Sequence, residues 1–297
     1  MGIDQTGFKI YQVSTTLYPL SSILYPLLRD PVTPALISTF LLFLPKTSHM
    51  SLTRHIPNII TLLNLLAGTI GVLYAVEGNL VMAAIFVATG IFLDFFDGLA
   101  ARLLDVKSEL GLQLDSLADM VTSGVVPGIV MFQLLSKALP GGETAPVDWT
   151  DGSDMLSWDF PALPLIGLLI TLASCYRLAK FNLDERQTDS FIGLPTPANA
   201  LLILSLPLIL IFQPQPWVLD IILNEWFLIG LTLFSCFMLN AEIPLFALKF
   251  RTWGFAENKL RYFFILLSLA LIIIFHFVAI PLIILSYLVL SLVGKKT

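Results

Sequence analysis

Charge is scarce in this sequence, because only 12% of its 297 residues are Asp, Glu, Lys or Arg. Soluble domains carry about 25%. Apolar residues replace the missing charge, at 57% of the chain with a mean hydropathy of +0.87. This composition excludes disordered chains and soluble multidomain enzymes. It predicts an all-α fold, a polytopic helical bundle embedded in a membrane.

The sequence also lacks the features of nucleic-acid-binding and disulfide-stabilised proteins. The net charge is -5, and no segment is rich in Lys and Arg. The two cysteines, Cys175 and Cys236, both lie inside apolar runs, where thiols act mostly as small hydrophobic groups. We therefore expect no nucleic-acid partner and no disulfide.

Long apolar segments predict about eight transmembrane helices, each of which needs about 20 mostly apolar residues. The last two segments are separated by a tight turn near 276–281, which predicts a helical hairpin. An even number of spans places both termini on one side of the membrane. The predicted spans are 58–76, 80–97, 112–136, 162–180, 197–212, 226–247, 261–277 and 280–293.

The basic residues between these spans predict the orientation. With a cytoplasmic N-terminus, the opposite side of the membrane contains Lys137 as its one basic residue and an acidic loop at 137–161. Cytoplasmic loops are enriched in Lys and Arg, so both termini are predicted to be cytoplasmic. The cytoplasmic segments would contain Arg54, Arg102, Lys107, Arg177, Lys180, Arg186, Lys249, Arg251, Lys259, Arg261, Lys295 and Lys296.

Residues 1–49 do not match the pattern of the remaining chain. The apolar segment 32–45 is too short to span a membrane and contains prolines. The basic start and small-residue cleavage site of a signal peptide are missing. We interpret 1–49 as a dispensable extension, with an interfacial helix on the inner leaflet as the alternative, and 50–297 as the membrane domain.

Four aspartates lie at the cytoplasmic ends of the second and third predicted spans. Asp94 and Asp97 are three residues apart, and Asp115 and Asp119 are four apart, so each pair shares one helix face. The short connection at 104–109 makes the two helices antiparallel neighbours. The four carboxylates can therefore converge, although each ionised group at bilayer depth costs roughly 2.5–3.5 kcal/mol.

Converging carboxylates need a counter-charge. Mg²⁺ or Mn²⁺ prefers oxygen ligands, and two such ions would leave coordination positions for phosphate oxygens. The cluster therefore favours metal-dependent phosphate chemistry. A carboxylate cluster that couples protons or sodium ions to transport is the alternative.

The residues around these aspartates form a longer pattern. Asp94-x-x-Asp97-Gly98-x-x-Ala101-Arg102, eight further residues and then Gly111-x-x-x-Asp115-x-x-x-Asp119 resembles in full the motif of the CDP-alcohol phosphotransferase family. The resemblance extends from about Arg54 to the C-terminus. It implies an enzyme that transfers a phosphatidyl group from a CDP-linked lipid to an alcohol and releases CMP.

Weaker matches indicate the acceptor alcohol. They are similar to the family members that use serine, the bacterial and archaeal CDP-diacylglycerol-serine O-phosphatidyltransferases. The resemblance thus implies that CDP-diacylglycerol and L-serine react to give phosphatidylserine. The matching segments are 55–58, 61–64, 116–121, 124–128, 177–182 and 193–200.

The same resemblance implies roles for the four aspartates. Asp94, Asp97 and Asp115 would ligate two divalent ions, Mg²⁺ or Mn²⁺. Asp119 would lie at the second ion or act as the base that accepts the serine hydroxyl proton. Direct transfer and a phosphatidyl-enzyme intermediate both remain open.

The remaining motif residues would bind the two substrates. Gly98, Ala101, Arg102 and Gly111 would bind the CDP-lipid, because small residues admit a bulky ligand and arginine suits phosphate. The serine carboxylate or a donor phosphate would be bound by Arg177, Lys180 and Asn182. The resemblance also implies a homodimer in the cytoplasmic membrane, with its active site facing the cytoplasm.

Three rival functions remain at this point. Glycerol 3-phosphate or inositol phosphate could replace serine, because Arg177 and Lys180 could bind a phosphate. An ion-coupled transporter would be expected to contain internal repeats, and the sequence shows none. A non-catalytic scaffold would not need the complete set of aspartates.

Overall fold

The computed structural model describes residues 55–139, 162–183, 191–246, 254 and 258–294. The predicted extension 1–49, Arg54 and most of the predicted external loop lie outside these residues. The described residues are mostly helical, as predicted. The helices are α1 Ile56–Val76, α2 Leu80–Leu103, α3 Glu109–Asp119, α4 Val126–Ala138, α5 Leu169–Leu183, α6 Thr196–Phe212, α7 Pro216–Ile222, α8 Glu225–Asn240, α9 Lys259–Phe275 and α10 Ala279–Gly294.

Short irregular segments connect some of these helices. A π-helical segment, Met120–Val125, joins α3 to α4. A 3₁₀ turn, Leu163–Leu168, precedes α5. Two antiparallel strands of two residues each, β1 Phe191–Ile192 and β2 Pro244–Leu245, lie between helices, and the sequence did not predict them.

Within the described residues, five helical segments are long and apolar enough to cross a membrane, and α7 with α8, bent by 59°, would make a sixth if the pair is one span. The predicted count of eight and the cytoplasmic termini stay predictions. Helix α6 is apolar but has 17 residues, fewer than the roughly 20 that a full span needs. The five segments are Ile56–Val76, Leu80–Leu103, Glu109–Ala138, Leu163–Leu183 and Lys259–Leu292.

The last of these segments folds back on itself. His276 has a φ of +50°, which reverses the chain between α9 and α10. The ring centroids of Phe264 and Tyr287 lie 5.6 Å apart, whereas a straight helix would separate residues this distant in sequence by about 34 Å. The predicted hairpin is therefore confirmed.

Helices α1 and α2 pack against the π-helical segment through two glycines. A Cβ atom on Gly90 would lie 2.6 Å from Cγ2 of Thr122 and 2.7 Å from Oδ1 of Asn64. A Cβ atom on Gly68 would collide with the Thr122 hydroxyl. Only glycine allows these backbones so close to Thr122, one turn beyond Asp119.

Apolar side chains lie both inside the bundle and on its outer surface. Val87, Val130 and Ile203 are fully buried in the core, whereas Leu73 and Phe92 are more than half exposed. In the most apolar stretch of Lys259–Leu292, only 11% of the residues are buried inside the bundle. An apolar exterior of this kind suits the hydrocarbon of a bilayer, where exposed leucine carries no penalty.

Candidate active site

The turn between α2 and α3 brings the two aspartate pairs to one end of the bundle. Helix α2 continues to Leu103, and the chain reverses at Asp105, which has a φ of +52°. The side chain of Ser108 then caps α3 by accepting a hydrogen bond of 3.0 Å from the N–H of Gly111. Helix α3 consequently returns antiparallel to the end of α2.

Three carboxylates meet between these helices. Oxygen atoms of Asp94, Asp97 and Asp115 all lie within 4.8 Å of one another. Asp97 is buried, and the other two are half-buried. No lysine or arginine among the described residues forms an ion pair with them. A set of oxygen donors with uncompensated negative charge fits a hard divalent cation.

Asp119 lies one turn further along α3 and is 9% exposed. Its charge is close enough to Asp115 and Asp97 to interact with both. The amide of Asn64 on α1 donates a hydrogen bond of 3.4 Å to Oδ1 of Asp119. The fourth aspartate thus borders the other three and has a partner on a different helix.

The π-helical segment begins immediately after Asp119. The hydroxyl of Thr122 in this segment donates a 2.8 Å hydrogen bond to Oδ1 of Asn64. Asn64 is fully buried, and its amide bridges the two side chains. Single π turns inside helices occur frequently at functional sites.

Helix α1 contributes a second polar contact to the cluster. The hydroxyl of Thr61 donates a hydrogen bond of 2.5 Å to Oδ2 of Asp97. Thr61 and Asn64 lie three residues apart on one face of an otherwise apolar helix. The segment 61–64 resembles the serine-using members of the family, but the sequence alone did not predict that Thr61 and Asn64 contact the aspartates, although two polar residues at this spacing in a predicted span were an available signal.

The four predicted CDP-lipid residues have different surroundings. A Cβ atom on Gly98 would meet nothing nearer than the Arg102 guanidinium at 4.0 Å, so the space beside it is open. Arg102 is exposed, and its Nε donates a 2.9 Å hydrogen bond to the Gly98 carbonyl. Ala101 is half-buried. Gly111 is crowded instead, because its Cβ would lie 3.3 Å from Oδ1 of Asn58.

Arg177 on α5 holds neighbouring elements together through its guanidinium group. The side chain is 7% exposed, and its Nη1 donates hydrogen bonds to the carbonyls of Ile192, at 3.0 Å, and Leu239, at 3.3 Å. It thereby links α5 to β1 and to the end of α8. A guanidinium has five N–H donors, so others remain for a ligand.

Lys180 and Asn182 complete the last turns of α5. Nζ of Lys180 forms a 3.1 Å ion pair with Oε1 of Glu242. The Asn182 amide donates a 2.9 Å hydrogen bond to the hydroxyl of Ser116. Since Ser116 follows Asp115 directly, Asn182 attaches the end of α5 to the aspartate-bearing helix.

The sequence is similar to those of several known proteins. Residues 54–236 match the family model described as CDP-alcohol phosphatidyltransferase. The CDP-diacylglycerol--serine O-phosphatidyltransferase of Bacillus subtilis (strain 168) is 34% identical over 144 residues, which are 48% of this chain and 70% of that protein.

Two further relatives extend the comparison. The CDP-diacylglycerol--serine O-phosphatidyltransferase of Mycobacterium leprae (strain TN) is 28% identical over 254 residues, 82% of this chain and 75% of the relative. The archaetidylserine synthase of Methanothermobacter thermautotrophicus is 29% identical over 153 residues, 50% of this chain and 56% of the relative. Because the family model matches more than half of the chain, the protein belongs to the CDP-alcohol phosphatidyltransferase family.

Proposed function

We propose that this protein transfers the phosphatidyl group of CDP-diacylglycerol to the hydroxyl of L-serine, giving phosphatidylserine and CMP. The observation that carries the proposal is the convergence of Asp94, Asp97 and Asp115 within 4.8 Å, with Asp119 beside them. The Bacillus and Mycobacterium relatives are CDP-diacylglycerol--serine O-phosphatidyltransferases, which supports serine as the acceptor.

Asp94, Asp97 and Asp115 would hold two divalent ions, Mg²⁺ or Mn²⁺. Bound there, such ions supply positive charge that offsets the charge of the donor diphosphate and of the departing CMP. The protein itself holds the carboxylates in place. The Thr61 hydroxyl fixes Asp97 from α1, so that its orientation does not depend on α2 alone.

Asp119 would act as the general base. Its burial and its hydrogen bond from Asn64 hold the carboxylate at the edge of the cluster. The serine oxygen attacks the phosphatidyl phosphorus, and the serine hydroxyl proton passes to Asp119. The bond from that phosphorus to the bridging oxygen breaks, and CMP leaves with this oxygen.

The donor would bind along the end of α2. The open space beside Gly98 admits a large group close to the helix backbone, and Ala101 on the next turn has a small side chain. Arg102 lies over Gly98 with part of its guanidinium free to meet a phosphate. Gly111 would act by letting α3 approach Asn58 of α1.

The acceptor would bind beside the end of α5. Arg177, Lys180 and Asn182 supply the positive and polar groups that a serine carboxylate requires. The hydrogen bond between Asn182 and Ser116 places this region next to Asp115. This arrangement supports an acceptor site adjoining the aspartate cluster.

We further propose a multi-pass location in the cytoplasmic membrane, with the site facing the cytoplasm. The apolar exterior and the twelve basic residues on one predicted side support this orientation. The homodimer, the count of eight spans and the division at residue 50 remain predictions from the sequence and the family resemblance.

An acceptor assay tests the proposal. Purified protein in mixed micelles receives CDP-diacylglycerol, Mn²⁺ or Mg²⁺, and labelled L-serine, glycerol 3-phosphate or inositol phosphate. We expect CMP release and a labelled lipid with serine. Release with another acceptor alone would refute serine, and the absence of CMP release with every acceptor would favour a transporter or scaffold.

The same preparation tests the metal requirement. Treatment with EDTA should abolish CMP release, and Mn²⁺ or Mg²⁺ should restore it. Full activity after thorough chelation would contradict the assignment of Asp94, Asp97 and Asp115. Exchange of labelled CMP into the donor without serine would indicate a phosphatidyl-enzyme intermediate rather than direct transfer.

A further inference from the structure

A shallow surface pocket lies beside the last turns of α5. Its lining includes Arg177 and Lys180 from α5, Ile192 from β1, and Leu239 and Asn240 from the end of α8. The end of α5 that lines this pocket is also attached to the aspartate-bearing helix, because Asn182 is hydrogen-bonded to Ser116.

A lysine that lines this pocket is paired with a carboxylate beside it. Lys180 supplies an ammonium group, and Glu242 on the segment after α8 holds it at 3.1 Å. The side chain of Glu242 is 67% exposed, whereas that of Lys180 is 34% exposed. Since a carboxylate accepts several hydrogen bonds, most of the capacity of Glu242 is available to a ligand.

A second acceptor lies two residues before Glu242. The Asn240 amide nitrogen donates to the carbonyls of Ala173 and Cys236, both at 3.2 Å. Its Oδ1 atom is buried and accepts no hydrogen bond within the part of the chain that the structure describes. A buried carbonyl oxygen without a donor needs a partner.

The two cations of the pocket already donate some of their hydrogen bonds to protein groups. Nη1 of Arg177 donates to the carbonyls of Ile192 and Leu239. Lys180 directs one of its three donors at Glu242. Together, Arg177, Lys180 and Glu242 carry one net positive charge. A phosphorylated acceptor with about two negative charges fits this combination poorly, because the Glu242 carboxylate would repel it.

We infer that Glu242 determines the chemical class of the acceptor by binding its ammonium group. This inference rests on the proposed function. Lys180 and Arg177 bind the carboxylate of a zwitterionic amino acid, Glu242 binds its ammonium group with Asn240 beside it, and Lys180 holds Glu242 in position. The same carboxylate excludes acceptors that carry a phosphate.

The arrangement has a simpler structural explanation, which the experiment has to separate from ligand binding. An ion pair between Lys180 and Glu242 could merely fasten the segment after α8 to α5. A pair this exposed contributes little to stability, so removing its negative charge should leave the fold intact. If Glu242→Gln then greatly weakens the use of serine, the cause is a lost contact between Glu242 and serine.

Glu242→Gln is the variant that tests the inference, because it removes the charge and keeps the size. We expect the KM for serine to rise about tenfold, the loss expected for one charge-assisted hydrogen bond, with kcat and the KM for CDP-diacylglycerol within about twofold of wild type. Glu242→Asp restores the charge and should recover most of the serine affinity. Glycerol 3-phosphate should inhibit serine transfer at a severalfold lower concentration in Glu242→Gln than in wild type.

Asp105→Asn is the matched control, because it removes a negative charge at the same end of the bundle from an exposed turn. Its KM for serine should equal that of wild type. An unchanged KM for serine in Glu242→Gln would overturn the inference. A loss shared equally by serine, CDP-diacylglycerol and kcat, or reproduced by Asp105→Asn, would overturn it as well.

The two proposals fail in different ways. If wild type releases CMP with glycerol 3-phosphate but not with serine, both the proposed acceptor and the role of Glu242 are wrong. If wild type uses serine and Glu242→Gln uses it equally well, the proposed function stands and the role of Glu242 is wrong.

Discussion

Thr61 on α1 and Asp97 on α2 are joined by a hydrogen bond of 2.5 Å between the threonine hydroxyl and Oδ2. Both side chains are buried, at 3% and 5% exposure. The contact ties the aspartate cluster to a third helix, because the clustered carboxylates themselves lie on α2 and α3. The geometry of the cluster consequently depends on a residue outside the aspartate motif.

Thr61→Val should weaken metal binding by the aspartate cluster, because it removes the hydroxyl that orients Asp97 and keeps the shape of the side chain. Losing a hydrogen bond to a charged group costs about 1.5–3 kcal/mol. We therefore expect kcat/KM to fall, or the Mn²⁺ concentration needed for half-maximal activity to rise, by roughly tenfold or more. The dependence of CMP release on Mn²⁺ concentration measures the effect. Thr69→Val is the control, because the Thr69 hydroxyl donates only to the Leu65 carbonyl of its own helix.

Asp119→Asn and Asp97→Asn should damage different steps. If Asp119 is the base, its replacement lowers kcat by about 10²–10⁴-fold and spares donor binding. Asp97→Asn should lose donor binding along with turnover, because it removes a proposed metal ligand. Equilibrium binding of CDP-diacylglycerol, measured beside kcat, separates the two; loss of donor binding in Asp119→Asn with turnover retained would contradict the base assignment.

Gly90→Ala should displace the π-helical segment. The added methyl group would lie 2.6 Å from Cγ2 of Thr122 and 2.7 Å from Oδ1 of Asn64, and such overpacking costs about 1–3 kcal/mol. We expect a lower Tm together with reduced kcat. Gly230→Ala in α8 is the control, since no atom lies within 4 Å of its added methyl group. Equal behaviour of the two variants would show that contact with Thr122 is unimportant.

Arg177→Gln and Lys180→Gln should both raise the KM for serine, but only the loss of Arg177 should also destabilise the fold. Removing the Arg177 guanidinium leaves the buried Leu239 carbonyl without its donor, which costs about 1–3 kcal/mol. Arg177→Gln should therefore lower Tm as well as raise the KM for serine, whereas Lys180→Gln should raise the KM for serine and retain Tm. Thermal unfolding in detergent and serine titrations provide both measurements. A wild-type Tm in Arg177→Gln would argue against its structural role.

The convergence of the aspartates was predictable because helical spacing is local. Asp94 and Asp97 share a face by their separation of three, and the short connection to α3 leaves little freedom in how the next pair returns. The hairpin near His276 was predictable for a similar reason: an apolar segment was interrupted by a short turn. Neither prediction required knowledge of distant contacts.

The partners of the aspartates were not predictable in this way. Thr61 is 36 residues from Asp97, and Asn64 is 55 residues from Asp119, so helix periodicity gives no information about these contacts. The π-helical turn after Asp119 is equally invisible to a pattern of 3.6 residues per turn. These features arise where Gly68 and Gly90 let three helices meet.

The sequence by itself determined the membrane class, the helical architecture and the family, since apolar length, charge and the aspartate spacing are properties of short segments. The tertiary structure decided which side chains support the aspartates, that Arg177 binds backbone carbonyls, and that Lys180 meets Glu242. The physical reason is that hydrogen bonds and ion pairs between helices depend on how the helices pack, and residues far apart in the chain set that packing.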